Sequence, residues 1–244
     1  MATAAESAPA EKKSAYYLLQ TFYLKNGTQL SRINDFMSRG LVPALKGLQS
    51  GPQLFLEGLV APHMPQFAAL LGLESLEQLA LLRSRLPADE KFRSALDAWE
   101  SGPEPPYEHY SQVILQAADY SPEITPLSTR PAKPRIFELR VYHSPTWRQL
   151  RALHQRFAGP EIRIFHRSGV HPILYSETLA GPNMPNLTYL IPFDSLAARE
   201  KAWDTFGADP EWIKVRKESV EQYGQITSVI QICLYRATPY SPVQ

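Results

Sequence analysis

PQLFLEGLVAPHMP (Pro52–Pro65) returns 120 positions on as PILYSETLAGPNMP (Pro172–Pro185), with seven of the fourteen residues unchanged and no gap. Unrelated segments of ordinary composition would share about one residue. The same offset carries Ser75-Leu76 onto Ser195-Leu196, Ala88-Asp89 onto Ala208-Asp209, and Tyr120-Ser121-Pro122 onto Tyr240-Ser241-Pro242. A repeat of this length implies two copies of one folding unit.

The second copy shows the order of elements most clearly. Arg135 to His143 alternates Phe137, Leu139 and Val141 with Glu138, Arg140 and Tyr142, the period of a strand. From Thr146 the apolar spacing becomes Trp147, Leu150, Leu153 and Phe157, the stripe of an amphipathic helix. Gly159-Pro160 interrupts or kinks this helix, because proline removes a helical donor, and Glu161 to Ser168 resumes it until Gly169. Pro172 to Leu179 and Leu187 to Phe193 read as strands. Asp194 or Ser195 caps a helix running through Trp203, and Asp209-Pro210-Glu211 supplies a cap, a first-turn proline and a first-turn acid for the next. Ile226 to Tyr235, rich in β-branched residues, closes the unit as a strand. The order β-α-β-β-α-β is the ferredoxin-like pattern, in which helices cover one face of a four-stranded antiparallel sheet. Two such units can shield each other's bare faces. The sequence therefore predicts an α+β protein of two tandem ferredoxin-like units packed sheet to sheet as an α+β barrel.

The chain divides accordingly. Residues 1–14, rich in Ala, Glu, Lys and Pro, show no periodicity and are expected to be disordered. A first unit follows over 15–118, a proline-rich linker over 119–134 (DYSPEITPLSTRPAKP), and the second unit over 135–244. With 44% apolar and 20% charged residues the composition is that of an ordinary globular protein. A net charge of +1, with no basic cluster interleaved with aromatics, argues against a nucleic-acid partner. No apolar run approaches the roughly 18 residues of a membrane span, and the N-terminus lacks the apolar core of a secretory signal. The expectation is a soluble protein without a transmembrane segment, cytoplasmic as it stands and periplasmic if an export leader has been removed. Cys233, the single cysteine, excludes an intrachain disulfide and a thiolate metal cage, and reads as a small buried residue of the last strand.

Three stretches of the second unit point to a family. PRIFELRVY (Pro134–Tyr142), ETLAGPNMPNLTY (Glu177–Tyr189), and REKAW (Arg199–Trp203) with DPEW (Asp209–Trp212) occur in order at sensible spacing. The chain resembles the NIPSNAP family over Pro134 to Ala237, and more dilutely over Tyr16 to Ala118. The resemblance implies a dimeric α+β barrel of ferredoxin-like units, with the tandem arrangement looking like that of bacterial members. It implies little chemistry. Members are associated with mitochondrial and vesicular roles in animals, and no catalytic residues carry over. Similar barrels in other families include cofactor-free oxygenases, haem-degrading enzymes and isomerases, an analogy of fold only.

Candidate site residues follow from facing. If Phe137, Leu139 and Val141 face the helices, Glu138, Arg140 and Tyr142 point into the inter-sheet interior, where the first unit places Leu18, Gln20 and Phe22. Buried charge is costly unless paired or serving a ligand. Two readings stand: a Glu138 to Arg140 salt bridge at a wet barrel end, or a ligand pocket that His166, Glu177 and Tyr189 would complete. Glu57 and Glu177 occupy equivalent places, as turn or partner-strand contacts or as an acid–base pair. His154, His166 and His171 share a region, but their faces diverge, so no metal is expected. Trp147, Trp203, Trp212 and Phe157 sit at core spacings. Phosphate-loop, serine-elbow and zinc-protease motifs are absent from the sequence. The expectation is a non-catalytic protein, without a cofactor, that binds a small ligand, another protein or a second copy of itself. The alternative is a small cofactor-free enzyme, monooxygenase- or isomerase-like, working in the inter-sheet cavity.

Overall fold

The structure, a computed structural model, describes residues 14–244. The first unit runs β1 (Tyr16–Tyr23), α1 (Gln29–Phe36), a π-helical turn (Met37–Leu41), α2 (Val42–Leu45), β2 (Gln53–Val60), β3 (Gln66–Leu73), α3 (Leu76–Arg85), α4 (Glu90–Glu100) and β4 (His109–Ala117). The second runs β5 (Ile136–His143), α5 (Trp147–Arg156), a π-helical turn (Phe157–Glu161), α6 (Ile162–Arg167), β6 (Leu174–Ala180), β7 (Asn186–Phe193), α7 (Leu196–Ala208), α8 (Pro210–Tyr223) and β8 (Val229–Ala237). The offset of 120 holds element by element, down to the π-turns. At the second of these Gly159 leaves helical geometry beside Pro160, the interruption the Gly-Pro pair predicts. Ser195 accepts from Ala198 N, and Asp209 accepts from the backbone N–H of Glu211 and Trp212, so both expected caps form.

The eight strands close into one barrel in the order β1-β3-β2-β8-β5-β7-β6-β4. Each unit contributes an antiparallel sheet in ferredoxin-like order, and the units join edge to edge: β2 pairs β8 through Glu57 and Arg236, and β4 pairs β6 through Gln116 and Glu177. Closure leaves no strand edge exposed to further pairing. One apolar cluster lies inside the barrel, with Tyr17, Leu19, Leu54, Leu70, Leu115, Phe137, Leu174 and Tyr235. Two further clusters lie outside it, each between a sheet and its own helices.

The segments after β4 and β8 cross to the opposite unit. Tyr120 packs against the second unit's helix layer and Tyr240 against the first's. Ser121 Oγ accepts from Tyr175 N at 3.0 Å, and Ser241 Oγ accepts from Phe55 N at 3.1 Å. Ile124 and Val243 join the barrel cluster from these same segments. The repeated Tyr-Ser-Pro is thus a reciprocal clasp. It also orders the start of the proline-rich linker. The disorder expected of residues 1–14 lies outside the described residues except at Ser14, which is buried, with its N–H and hydroxyl both donating to Glu123.

One expectation is reversed. Phe137 and Leu139 face the barrel, whereas Glu138, Arg140 and Tyr142 lie under the helices, as do Leu18 and Phe22 in the first unit. Alternation separates two faces without saying which one the helices cover. Here α7 decides it, because Arg199 and Trp203 offer Glu138 the donors that make its burial tolerable.

Candidate functional site

The layer between sheet and helices differs between the two units. In the second, Glu138 is fully buried and accepts from Arg140 at 2.8 Å, from Arg199 Nε at 2.7 Å and Nη2 at 3.0 Å, and from Trp203 Nε1 at 2.9 Å. The Arg140 guanidinium lies 4.2 Å from the Trp203 ring centre. Glu161 is paired with Arg156 at 2.7 Å, and burial pushes its carboxyl above the usual carboxylate range despite that partner. Phe157, Phe165, Phe206 and Trp212 fill the space between.

The first unit carries smaller or aliphatic side chains at the matching places. Leu18 stands for Glu138, Leu79 for Arg199 and Arg83 for Trp203. Met37, Leu45, Leu86 and Phe92 stand for Phe157, Phe165, Phe206 and Trp212. The elements keep the same order and offset, and where the second unit places its larger side chains the first has a hollow of about 280 Å³ bounded by these residues, Phe22, Phe36 and Trp99. Trp99 stacks on Phe36 with ring centres 4.5 Å apart, and its Nε1 is a buried donor without a protein partner. At the rim Arg83 Nη2 donates to Gln112 Oε1 at 2.9 Å.

A second cavity, of about 350 Å³, opens inside the barrel at the end that carries the β2–β3 and β6–β7 turns. Leu19, Leu115 and Leu139 line its apolar part, and Thr21, Gln66, Ser111, Thr178, Asn186 and Thr188 its polar part. Cys233 also faces it, half-buried, with burial pushing its thiol upward.

Of the residues singled out by sequence, Glu138, Arg140, Tyr142 and Tyr189 do come together, with the Tyr142 and Tyr189 rings 5.1 Å apart, but in the filled layer. His166 stacks on His171 at 5.2 Å near the surface, and burial together with its neighbour lowers its pKa. Glu177 lies 3.6 Å from His154 Nε2, whose Nδ1 is 2.7 Å from the Tyr120 hydroxyl. The matching place in the first unit holds Glu57, Asn34 and Tyr240, with Asn34 Nδ2 donating to Glu57 at 2.8 Å and the Tyr240 hydroxyl donating to Asn34 Oδ1 at 2.8 Å. The two glutamates are partner contacts of this repeated trio. No group of three or more metal-ligating side chains occurs among the described residues, and none of their helices is long and apolar enough to cross a membrane. Sequence reading missed the first-unit hollow. The signal was present in the aromatic-to-aliphatic exchanges between the copies.

Comparison with known proteins follows this division. The NIPSNAP family profile matches residues 137–242. The second unit is thus similar to NIPSNAP domains. Both units together resemble solved chains of similar length: an anthrone oxidase-like protein (14% identity, TM-score 0.58, covering 93% of this chain and 92% of that one) and a candidate monooxygenase from Fusobacterium nucleatum (7%, 0.57, 91% of each). A candidate chlorite dismutase matches at 12% identity and a TM-score of 0.51, over 93% of this chain and 96% of that one. At these identities the likeness establishes the two-unit barrel fold. No curated protein matches the sequence.

Proposed function

We propose that this NIPSNAP-like chain is a non-catalytic binding protein whose first unit takes a small, largely apolar molecule between its sheet and helices. One observation supports this most: the layer that aromatic rings and paired charges fill in the second unit is, in the first, a hollow lined mainly by apolar side chains, with Gln20, Arg83, Glu100 and Gln112 also on its walls. Burying an apolar ligand against these leucines and Phe36 releases water from both surfaces. The unpartnered Trp99 Nε1 suits one hydrogen-bond acceptor on the ligand. The enzymatic alternative has less support. The inter-sheet cavity is lined by no Asp, Glu, His, Lys or Arg, and burial raises the pKa of both Cys233 and Tyr235, so neither is activated as a base or nucleophile.

Titration calorimetry with 2-acetonaphthone, an apolar body carrying one carbonyl, tests the proposal. Wild type should bind saturably. Leu86→Phe, which installs the residue of the second unit, should weaken binding about tenfold or more with Tm preserved. Equal affinity in both proteins would remove the first-unit hollow as the site.

A further inference from the structure

We infer that the barrel mouth is a second binding site, built for an uncharged molecule that carries hydroxyl groups on an apolar body. It is distinct from the first-unit hollow: it lies on the inner face of the sheet, and its walls come from strands of both units. Three observations carry the inference.

The first is charge. None of the lining side chains bears a formal charge, so an ion entering here would lose its hydration with nothing to replace it. Neutral ligands escape that penalty.

The second is the polar wall. Gln66 is almost wholly buried and bonds the Tyr235 hydroxyl with one end of its amide, while Oε1 at the other end has no protein partner. Opposite, the Thr178 and Thr188 hydroxyls both donate to Asn186 Oδ1, at 2.9 and 3.0 Å, which leaves their oxygen lone pairs to accept. The wall therefore presents acceptors at fixed positions, and a ligand hydroxyl can supply the donors.

The third is shape. Leu19, Leu115 and Leu139 give an apolar floor, and the volume sits at the lower end of the range for small-molecule sites. A ring or short chain with a hydroxylated edge satisfies floor and wall together.

Resorcinol is the probe, with benzoate as a charged ring and toluene as a ring without hydroxyls, each followed by amide NMR on the full chain. Resorcinol should shift Gln66, Thr178, Asn186, Thr188 and Gln231 saturably, and benzoate should shift none of them. Toluene should leave the barrel mouth unshifted, whether or not it enters the first-unit hollow. Gln66→Leu should weaken resorcinol binding about tenfold, as expected for one lost hydrogen bond to a buried group. If that variant fails to fold, Ser111→Ala at the half-buried wall should show a smaller loss in the same direction. The inference is overturned if resorcinol gives no saturable shifts at the mouth, if benzoate binds there equally, or if the substitution in the folded variant leaves affinity unchanged. Shifts confined to Leu18, Leu86 and Trp99 would also overturn it while leaving the first-unit proposal intact.

Discussion

Glu138 shows how far a single residue constrains its surroundings. Its carboxylate is buried and held by two arginines and an indole. Removing one member of a buried ion network leaves uncompensated charge. Glu138→Ala should therefore cost about 3–5 kcal/mol in unfolding free energy by urea titration, more than replacement of an apolar neighbour of similar size. A loss below about 1 kcal/mol would mean that water or movement of Arg199 takes over its role. The presence of this residue on a strand, and its pairing with Arg140, were legible from alternation. Its partners Arg199 and Trp203 were not, because they stand some sixty positions away on α7 and no local period announces a tertiary hydrogen bond.

At the scale of elements, the repeat made most of the architecture readable. Both π-turns and all eight strands obey one offset, and the caps of α7 and α8 fall where Ser195 and Asp209 predict them. The tail clasp was visible only as a repeated Tyr-Ser-Pro, since its meaning depends on which unit it crosses to. The two clasps differ chemically: Tyr120 meets His154 in the second unit, and Tyr240 meets Asn34 in the first. Burial lowers the His154 pKa, so the folded protein binds fewer protons there than the unfolded chain. The stabilisation is fully present above the unfolded value of about 6.5 and is lost as pH falls through the lowered folded pKa. Protonation leaves both ring nitrogens as donors, so Nδ1 can then only donate to the Tyr120 hydroxyl, while Glu177 near Nε2 offsets part of the loss. Urea unfolding across this range should show wild type losing more stability on acidification than His154→Asn, the residue of the first unit. Parallel curves would contradict the assignment.

For the molecule as a whole, two copies of one unit form a closed barrel and then diverge in what lies between each sheet and its helices. Closure follows from the fold: a ferredoxin-like sheet has a bare face and two edges, and a second copy in the same chain covers the face and pairs both edges. The divergence was not apparent from either copy alone, because leucine and phenylalanine serve a core equally well by hydrophobicity and differ only in volume. Xenon enters dry apolar cavities and has little affinity for packed cores or polar sites. Diffraction from crystals of the full chain pressurised with xenon should place the gas among Met37, Leu45, Leu86 and Trp99, with none between the second sheet and its helices. Xenon absent from the first layer, or equally occupied in both, would contradict the account.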